Sequence, residues 1–278
     1  MNRKRITQLF PFLLPLRKAQ RKLCFYLRMH FDAHRYAKTR SARLLAHCAY
    51  KCETNLLNEN TGFDIQYQQN KIFNLQLAAE TMNGLLIHPH ETFSFWQLVR
   101  HAEQNQRFKD GLSVVNGQLT TVRGGGLCHL SNFLFWMFLH SPLTLVERHP
   151  HRIKDFPSPD AKEPDSVDAT VSEGWLDLKV KNDTELTFQI DLSFADAILH
   201  GRLLTDQAMS SRYEIANRDK QFFKREGRIF EHVSVCRQCI DYSTGQLLPE
   251  QLLYSDIFEI GYPLPEETEF VSKESHHE

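Results

Sequence analysis

The sequence predicts an α+β fold in which N-terminal helices and one buried central helix pack on an antiparallel sheet. Three observations favour this class. Apolar residues recur at helical spacing within residues 16–57, residues 127–140 are apolar on nearly every side, and the segments after residue 143 alternate apolar and polar residues. A chain of 278 residues with 41% hydrophobic content can bury a sizeable core of this kind.

The first part of the chain is predicted to be helical from residue 16 to residue 57. Two apolar stripes lead to this prediction, one formed by Leu23, Leu27 and Phe31 and the other by Leu44, Leu45 and Cys48. A further helix is predicted from about Lys71 to Leu86. Its buried face would consist of Leu75, Ala78, Ala79, Met82 and Leu86.

Three consecutive glycines, Gly124-Gly125-Gly126, lead into the central helix. Asn116-Gly117 upstream is typical of a two-residue hairpin turn and predicts two antiparallel strands, the second of which runs directly into the glycines. Glycine lets another backbone or a ligand approach closely, and the first N–H groups of a helix have no partner within it. We therefore expect a strand–turn–helix junction that presents Cys128 at the edge of a sheet.

Strands are also predicted after the central helix. Residues 143–149 are β-rich, and three further runs alternate as antiparallel strands do: 168–171, 176–180 and 187–192. Residues 198–262 continue the alternation more loosely, with turns at Glu226-Gly227 and Ser243-Thr244-Gly245. This last part is interpreted as a second layer of hairpins or an extension of the sheet.

These elements divide the chain into four predicted parts. Residues 1–60 form a basic helical segment, 61–200 the core domain, 201–264 a β-rich C-terminal extension and 265–278 a mobile acidic tail. No internal repeat relates one part to another.

Cys128 is the leading candidate for chemistry, because the free N–H groups and the dipole at a helix start favour a thiolate. A cysteine nucleophile needs a base and usually an acid that orients the base. The predicted base is His149 or His151, and the predicted acid is Asp168. Cysteine on a helix, histidine on a following strand and acid on the next is the element order of papain-like and transglutaminase-like folds.

A purely structural interpretation of these residues stays open, and the spacing alone slightly favours it. Cys128 would then be a small residue where a buried helix meets a glycine turn, and the two histidines would be strand-end residues bonded to backbone. Further residues are predicted to bind a ligand: Arg123, Gly124, Gly125, Gly126, Ser131, Asn132 and Glu147.

Two groups of residues have spacings that a metal site permits. Cys48, Cys52, Cys236 and Cys239 could supply four thiolates, but the glycines typical of zinc knuckles are missing, and ordinary thiols are the preferred interpretation. Glu147, His149 and His151 share one face of a strand, but a polar strand edge explains them better. The sequence therefore predicts neither a metal nor another cofactor.

Charge is distributed unevenly along the chain. The net charge is -1, yet residues 1–43 contain only one acid, Asp32, beside these bases: Arg3, Lys4, Arg5, Arg17, Lys18, Arg21, Lys22, Arg28, Arg35, Lys38, Arg40 and Arg43. A solvated or self-docked helix is the first interpretation, a membrane surface the second, and no nucleic-acid partner is expected. Without a convincing secretory signal, the predicted location is cytoplasmic, with peripheral contact at the inner membrane face.

Several motifs in the same order resemble the VanW family. They are Gly124-Gly125-Gly126-Leu127-Cys128, Leu130-Ser131-Asn132, Val146-Glu147-Arg148-His149-Pro150-His151 and Asp168-Ala169-Thr170-Val171, preceded by His90-Glu91-Thr92-Phe93-Ser94-Phe95 and Val115-Asn116-Gly117. The resemblance covers roughly residues 74–193, and the family usually has Gln where this chain has His129. It implies a link to glycopeptide resistance and cell-envelope peptide metabolism, without a mechanism.

Two functions are therefore predicted, and whether the protein is an enzyme stays open. The first is an accessory protein of glycopeptide resistance with a cysteine-dependent acyl-transfer or amide-hydrolysing site. The second is a non-catalytic module that binds a cell-wall precursor peptide or a partner protein through its glycine turn.

Overall fold

The computed structural model describes residues 11–57, 62–115, 118–154, 164 and 166–271. Within these ranges the chain forms four α-helices: α1 (Leu14–Phe31), α2 (Ile65–Ala79), α3 (Phe95–Val99) and α4 (Leu127–Leu139). Short 3-10 helices occupy Pro11–Leu13 and Ala102–Gln104. No helix in this part of the chain has both the length and the apolar character needed to cross a bilayer.

The described ranges also form fourteen strands. In chain order they are β1 (Arg35–Tyr36), β2 (His47–Asn55), β3 (Leu86–Ile87), β4 (Glu91–Ser94), β5 (Asp110–Val115), β6 (Gln118–Arg123), β7 (Thr144–Glu147), β8 (Ile153–Lys154), β9 (Lys179–Lys181), β10 (Phe188–Ala195), β11 (Ile198–Thr205), β12 (Ser211–Arg225), β13 (Arg228–Asp241) and β14 (Gln251–Ile260).

These strands form three four-stranded sheets and one hairpin. The sheet orders are β1-β4-β9-β7, β2-β11-β10-β3 and β12-β13-β14-β8, and β5 pairs with β6. The pairs β1–β4 and β14–β8 are parallel, and the other pairs are antiparallel. The predicted α+β class is therefore confirmed, with mixed as well as antiparallel sheets.

Helix α4 lies in the core because it is apolar on nearly all sides. Leu130, Leu134 and Phe135 are fully buried, and Phe133 and Met137 pack on β11 at Gly201. A Cβ atom at Gly201 would lie 2.5 Å from the Phe133 ring and 2.7 Å from the Met137 sulfur. The missing side chain on β11 thus lets the helix approach the sheet closely.

The prediction of helix up to residue 57 is wrong. The chain is helical to Phe31 but then forms β1 and β2, and β2 pairs along its length with β11. In β2 the half-buried Tyr50, Cys52 and Thr54 alternate with exposed residues, which is the period of a strand. The helical spacing of Leu44, Leu45 and Cys48 was a coincidence within a short window.

Helix α2 begins and ends about six residues before the predicted positions. Asp64 caps its N-terminus by accepting a hydrogen bond of 2.8 Å from the Gln66 N–H. The predicted buried residues Leu75, Ala78 and Met82 are fully buried, although Met82 lies in the turn after the helix.

The C-terminal hairpins are confirmed. β12 and β13 join at Glu226-Gly227, where both residues have positive φ, and Asp241 accepts hydrogen bonds from the turn at Ser243 and Thr244. The predicted domain boundary at residues 200 and 201 falls inside β11, which pairs with β10 and β2 on both sides of it.

Candidate functional site

The glycine turn joins β6 to α4 and packs backbone against backbone on β5. Gly124 and Gly126 have φ values of 74° and 98°, a conformation that favours glycine. At Gly125 a Cβ atom would lie 2.2 Å from the carbonyl oxygen of Gly111. Two facing glycines, one in β5 and one in the turn, thus allow a close approach that a side chain would prevent.

Asn74 of α2 fixes this turn in place. Its side chain donates to the carbonyls of Lys109 and Gly125, at 2.9 and 3.0 Å, and accepts from the Lys109 N–H at 2.8 Å. Asn74 is fully buried, and its amide satisfies the Lys109 N–H and the Gly125 carbonyl and adds a second hydrogen bond to the Lys109 carbonyl, which also accepts from the Gly124 N–H. This role of Asn74 was not predicted from the sequence, where the available signal was an asparagine one position before the buried Leu75.

Cys128 lies in the first turn of α4, beneath the glycines. Its thiol is half-buried and hydrogen-bonds to the carbonyl of Val171 at 3.6 Å. Burial raises the pKa of this thiol, and together with the charge of Asp168 it outweighs the hydrogen bond with Val171, which acts to lower the pKa. Both act against the thiolate that the helix start alone would favour.

The two histidines pair with different carboxylates. His149 Nε2 lies 3.0 Å from Glu147 Oε1, and His151 Nδ1 lies 2.6 Å from Asp168 Oδ2. Among the residues that the structure describes, neither histidine is a hydrogen-bond partner of the Cys128 thiol. The structure thus brings together His151 and Asp168, a predicted base and the predicted acid. The partner of the predicted nucleophile, Cys128, is a backbone carbonyl.

The predicted strand at residues 168–171 is wrong. This segment is extended, but side chains take the place of a neighbouring strand. Asn132 accepts from the Ala169 N–H at 2.8 Å, and Ser131 donates to the Ala169 carbonyl at 2.5 Å. The Ser131 hydroxyl and the side-chain oxygen of Asn132, two residues predicted to bind a ligand, therefore help to fix the segment that carries Val171.

Arg148 holds the other side of this segment. Its side chain is 4% exposed, and the guanidinium pairs with Asp168 at 2.8 Å and with Asp256 of β14, and also donates to the Ser166 carbonyl at 2.8 Å. The ring of Tyr254 lies 4.4 Å from the guanidinium carbon. A buried cation is thus held by acceptors from two parts of the chain, residues 166–168 and β14, a role that was not predicted from the sequence.

Glu147 lies beside a second buried carboxyl, Asp177. Glu147 pairs with Lys179 at 3.0 Å, and its hydrogen bonds to His149 and Lys179 outweigh burial and keep its pKa below the usual value. Asp177 is fully buried and accepts from Ser94 at 2.6 Å and from the Trp96 N–H at 3.0 Å. Burial nevertheless raises the pKa of Asp177 from 3.8 to about 6.

Asp177→Asn is expected to make the stability of the protein rise more steeply between pH 4 and pH 7. The folded chain holds a proton that the unfolded chain releases above pH ~4, so Asp177 adds stability near pH 4 that is lost as the pH rises through about 6. Between pH 4 and pH 7 the stability of the variant should therefore rise by roughly 2–3 kcal/mol relative to the parent chain. Urea unfolding at both pH values measures this, and parallel profiles would contradict it.

A cleft of about 400 Å³ opens over the glycine turn. Cys128 and Val171 lie in its lining, together with the apolar Phe108 and Leu127. Its charged lining residues carry both signs: Lys22, Arg100, Glu103, Arg123 and Glu173. A larger cavity, of about 660 Å³ between α2 and the segment after α3, contains none of the predicted site residues, so the glycine cleft is the stronger candidate.

Behind the turn lie two titratable groups that the sequence analysis did not assign. The stem of Lys71 packs on Gly126, and burial lowers the pKa of Lys71 to about 8. Burial, with the nearby charge of Lys71, lowers the pKa of His129 to about 4, and its Nε2 lies 3.1 Å from the Thr54 hydroxyl. His129 is thus neutral at pH 7 and faces a separate cavity of about 380 Å³.

The described residues contain no group of three or more His, Cys, Asp or Glu side chains arranged to hold a metal ion. All six cysteines are free. Cys48 and Cys52 lie on β2, while Cys236 and Cys239 lie on β13 in a different sheet. The four thiols are therefore held by separate parts of the fold.

Comparison with known proteins adds three findings. Residues 70–204 match the family described as "VanW like protein". The chain is 52% identical over 266 residues to the vancomycin B-type resistance protein VanW of Enterococcus faecalis (strain ATCC 700802 / V583), covering 96% of this chain and 97% of that protein. It is 31% identical over 141 residues to the uncharacterized protein YoaR of Bacillus subtilis (strain 168), covering 51% of this chain and 44% of that one. No solved structure matches.

Proposed function

The chain belongs to the VanW family, and from this premise we propose that it serves glycopeptide resistance by binding a cell-wall precursor peptide in the cleft at the glycine turn. The family membership associates it with vancomycin resistance. The observation that supports peptide binding is the cleft itself. Two ion pairs, each of a basic and an acidic side chain, lie there beside a glycine backbone turn.

Both ion pairs are arranged so that a ligand can replace one partner. Lys22 pairs with Glu173, and Arg123 pairs with Glu103; each side chain is 31% exposed or more. Such exposed pairs contribute only about 0–1 kcal/mol each, so opening the ion pairs costs little, and Glu173 also accepts a hydrogen bond from Tyr26 that does not have to break. A peptide with a free amine, a carboxylate and several amides offers each side of these pairs a new partner of the right charge.

The chemistry of Cys128 favours binding over catalysis. Its thiol donates to a backbone carbonyl, and burial raises its pKa, whereas a nucleophile needs a lowered pKa or an adjacent base. Val171, which accepts this hydrogen bond, is held by the Arg148 and Ser131 contacts on the same segment. Cys128 therefore serves as a packed part of the cleft floor.

A cysteine-dependent acyl-transfer or amide-hydrolysing site is the second candidate, favoured by the 2.6 Å contact between His151 and Asp168. This pair supplies the base and the orienting acid of a triad. In that reaction Cys128 Sγ would attack an acyl carbon, His151 would take the thiol proton and pass it to the leaving nitrogen, and water would release the acyl group. The hydrogen bond to Val171 would have to break first.

Calorimetric titration with a synthetic peptidoglycan stem pentapeptide tests the proposal. We expect saturable binding that weakens about ten-fold or more in Arg123→Gln and Glu173→Gln, because each removes one charge-assisted hydrogen bond to the ligand. Arg202→Gln is the matched control, since Arg202 forms a similarly exposed ion pair, with Asp191, outside the cleft.

Cys128→Ala separates the two candidates. Retained peptide affinity in this variant, with no cleavage of the peptide by the parent chain in mass spectrometry, supports binding alone. Cleavage by the parent chain that Cys128→Ala and Cys128→Ser both abolish would establish the catalytic alternative. Absence of any binding to the parent chain would refute the proposal.

A further inference from the structure

Helix α1 uses only one of its faces to dock on the rest of the protein. Tyr26 donates to Glu173 at 2.8 Å, Lys22 pairs with the same carboxylate at 2.8 Å, and Arg21 stacks over Trp175 at 4.0 Å. Met29, one turn further on, is buried. These residues follow helical spacing and leave the opposite side of α1 to solvent.

The opposite side of α1 carries an exposed apolar stripe. We define this stripe as Leu16, Leu23, Leu27 and Phe31, which recur at intervals of seven and four residues on one face. Their exposed fractions are 68%, 60%, 46% and 80%, and Phe12, just before the helix, is 75% exposed. Single exposed leucines are ordinary, but a row of large apolar side chains along an 18-residue helix marks a contact surface.

The charges on α1 specify which surface this stripe contacts. The helix contains Arg17, Lys18, Arg21, Lys22 and Arg28, and no acidic residue at all. Arg17 and Arg28 lie on the border of the stripe. Their long methylene stems can lie along the apolar surface while their guanidinium groups reach the polar surroundings. An apolar face bordered by bases is complementary to the acyl–headgroup boundary of an anionic bilayer. A second protein chain would instead need acidic groups around an apolar groove.

We propose that α1 is an interfacial membrane helix, which lies flat on an anionic phospholipid surface with the stripe among the acyl chains and Arg17 and Arg28 at the headgroups. This proposal goes beyond peptide binding and does not depend on it. Lys22 faces the cleft from the other side of α1. The cleft would therefore be held at the membrane surface, within reach of membrane-tethered ligands.

Co-sedimentation of the full chain with large unilamellar vesicles tests the proposal. We expect the chain to bind vesicles of phosphatidylcholine and phosphatidylglycerol, and to bind phosphatidylcholine alone at least ten-fold more weakly, because Arg17 and Arg28 meet the anionic headgroups. Leu23→Glu should weaken binding to the anionic vesicles about ten-fold or more. Leu252→Glu on β14 is the matched control, since Leu252 is also 60% exposed, and it should bind like the parent chain.

A fluorophore on Cys24 gives a second measurement, because Cys24 is exposed beside the stripe. With Cys48, another exposed cysteine, changed to serine, an environment-sensitive label on Cys24 should shift to the blue when anionic vesicles are added. Two results would overturn the proposal. One is the absence of vesicle binding by the parent chain, and the other is a dimer in sedimentation velocity, without lipid, that Leu23→Glu dissociates.

Discussion

Gly125→Ala is expected to destabilise the protein by about 3 kcal/mol or more and to open the cleft. The new Cβ atom would lie 2.2 Å from the Gly111 oxygen and 2.3 Å from the Gly111 carbonyl carbon, and backbone atoms in a strand cannot move aside as the end of a side chain can. Separation of the turn from β5 would also break the hydrogen bonds of Asn74 to both segments. Urea unfolding and peptide titration measure the two consequences.

Gly124→Ala separates steric overlap from backbone strain. Gly124 has a φ of 74°, but the nearest atom to its Cβ position lies 3.6 Å away, so this variant should lose only about 1 kcal/mol from left-handed strain. Gly111→Ala should resemble Gly125→Ala, because its Cβ would lie 2.6 Å from the Gly125 oxygen. Equal losses for Gly124→Ala and Gly125→Ala would show that the close contact is not the cause.

Arg148→Met is expected to cost about 3–5 kcal/mol at pH 7, because it leaves Asp168 and Asp256 partly buried without their cation. Burial would raise the pKa of Asp168, but the hydrogen bond from His151 and the charge of Arg148 outweigh it. Asp168 thus adds stability at pH 7 that is lost as the pH falls below its usual pKa. The loss caused by Arg148→Met should therefore shrink on acidification, when the carboxyls take up protons.

Two further variants test whether the loss of stability is electrostatic. Arg202→Met removes an arginine that is 48% exposed, and its loss should stay within about 1 kcal/mol. Adding Asp256→Asn to Arg148→Met should recover part of the stability, since it removes one uncompensated charge. Urea midpoints measure both, and a loss for Arg148→Met that is the same at pH 3 and pH 7 would contradict the electrostatic explanation.

Local patterns in the sequence were sufficient to predict the helices and strands whose partners are close along the chain. The apolar run of α4, the β5–β6 strands around Asn116-Gly117 and the β12–β13 turn at Glu226-Gly227 were all recognisable; Asn116 and Gly117 themselves lie outside the described residues. Residues 44–55 were mistaken for a helix because the partner of β2 is β11, about 150 residues later in the chain. No window of local spacing contains that information.

The same limit applies to the candidate site. Cys128, His151 and Asp168 stood out by residue type, and His151 and Asp168 do meet. The partner of the Cys128 thiol is a backbone carbonyl, Val171, which no residue type can indicate. Asn74 and Arg148 owe their roles to hydrogen bonds with residues far away in the sequence, Gly125 and Asp256. Catalytic, binding and domain assignments stay predictions, as does the cytoplasmic location.

The ion pair between Arg148 and Asp256 has a consequence for synthesis on the ribosome. The two residues are 108 positions apart, so at usual elongation rates roughly 5–20 s pass between their addition to the nascent chain. During that interval the arginine has Asp168 but lacks its second acid, and the segment bearing Val171 lacks β14 beside it. The floor of the cleft is therefore completed late. In a nascent chain that stalls before β14, Phe135 lacks its contact with Tyr254 and is exposed to chaperones and proteases.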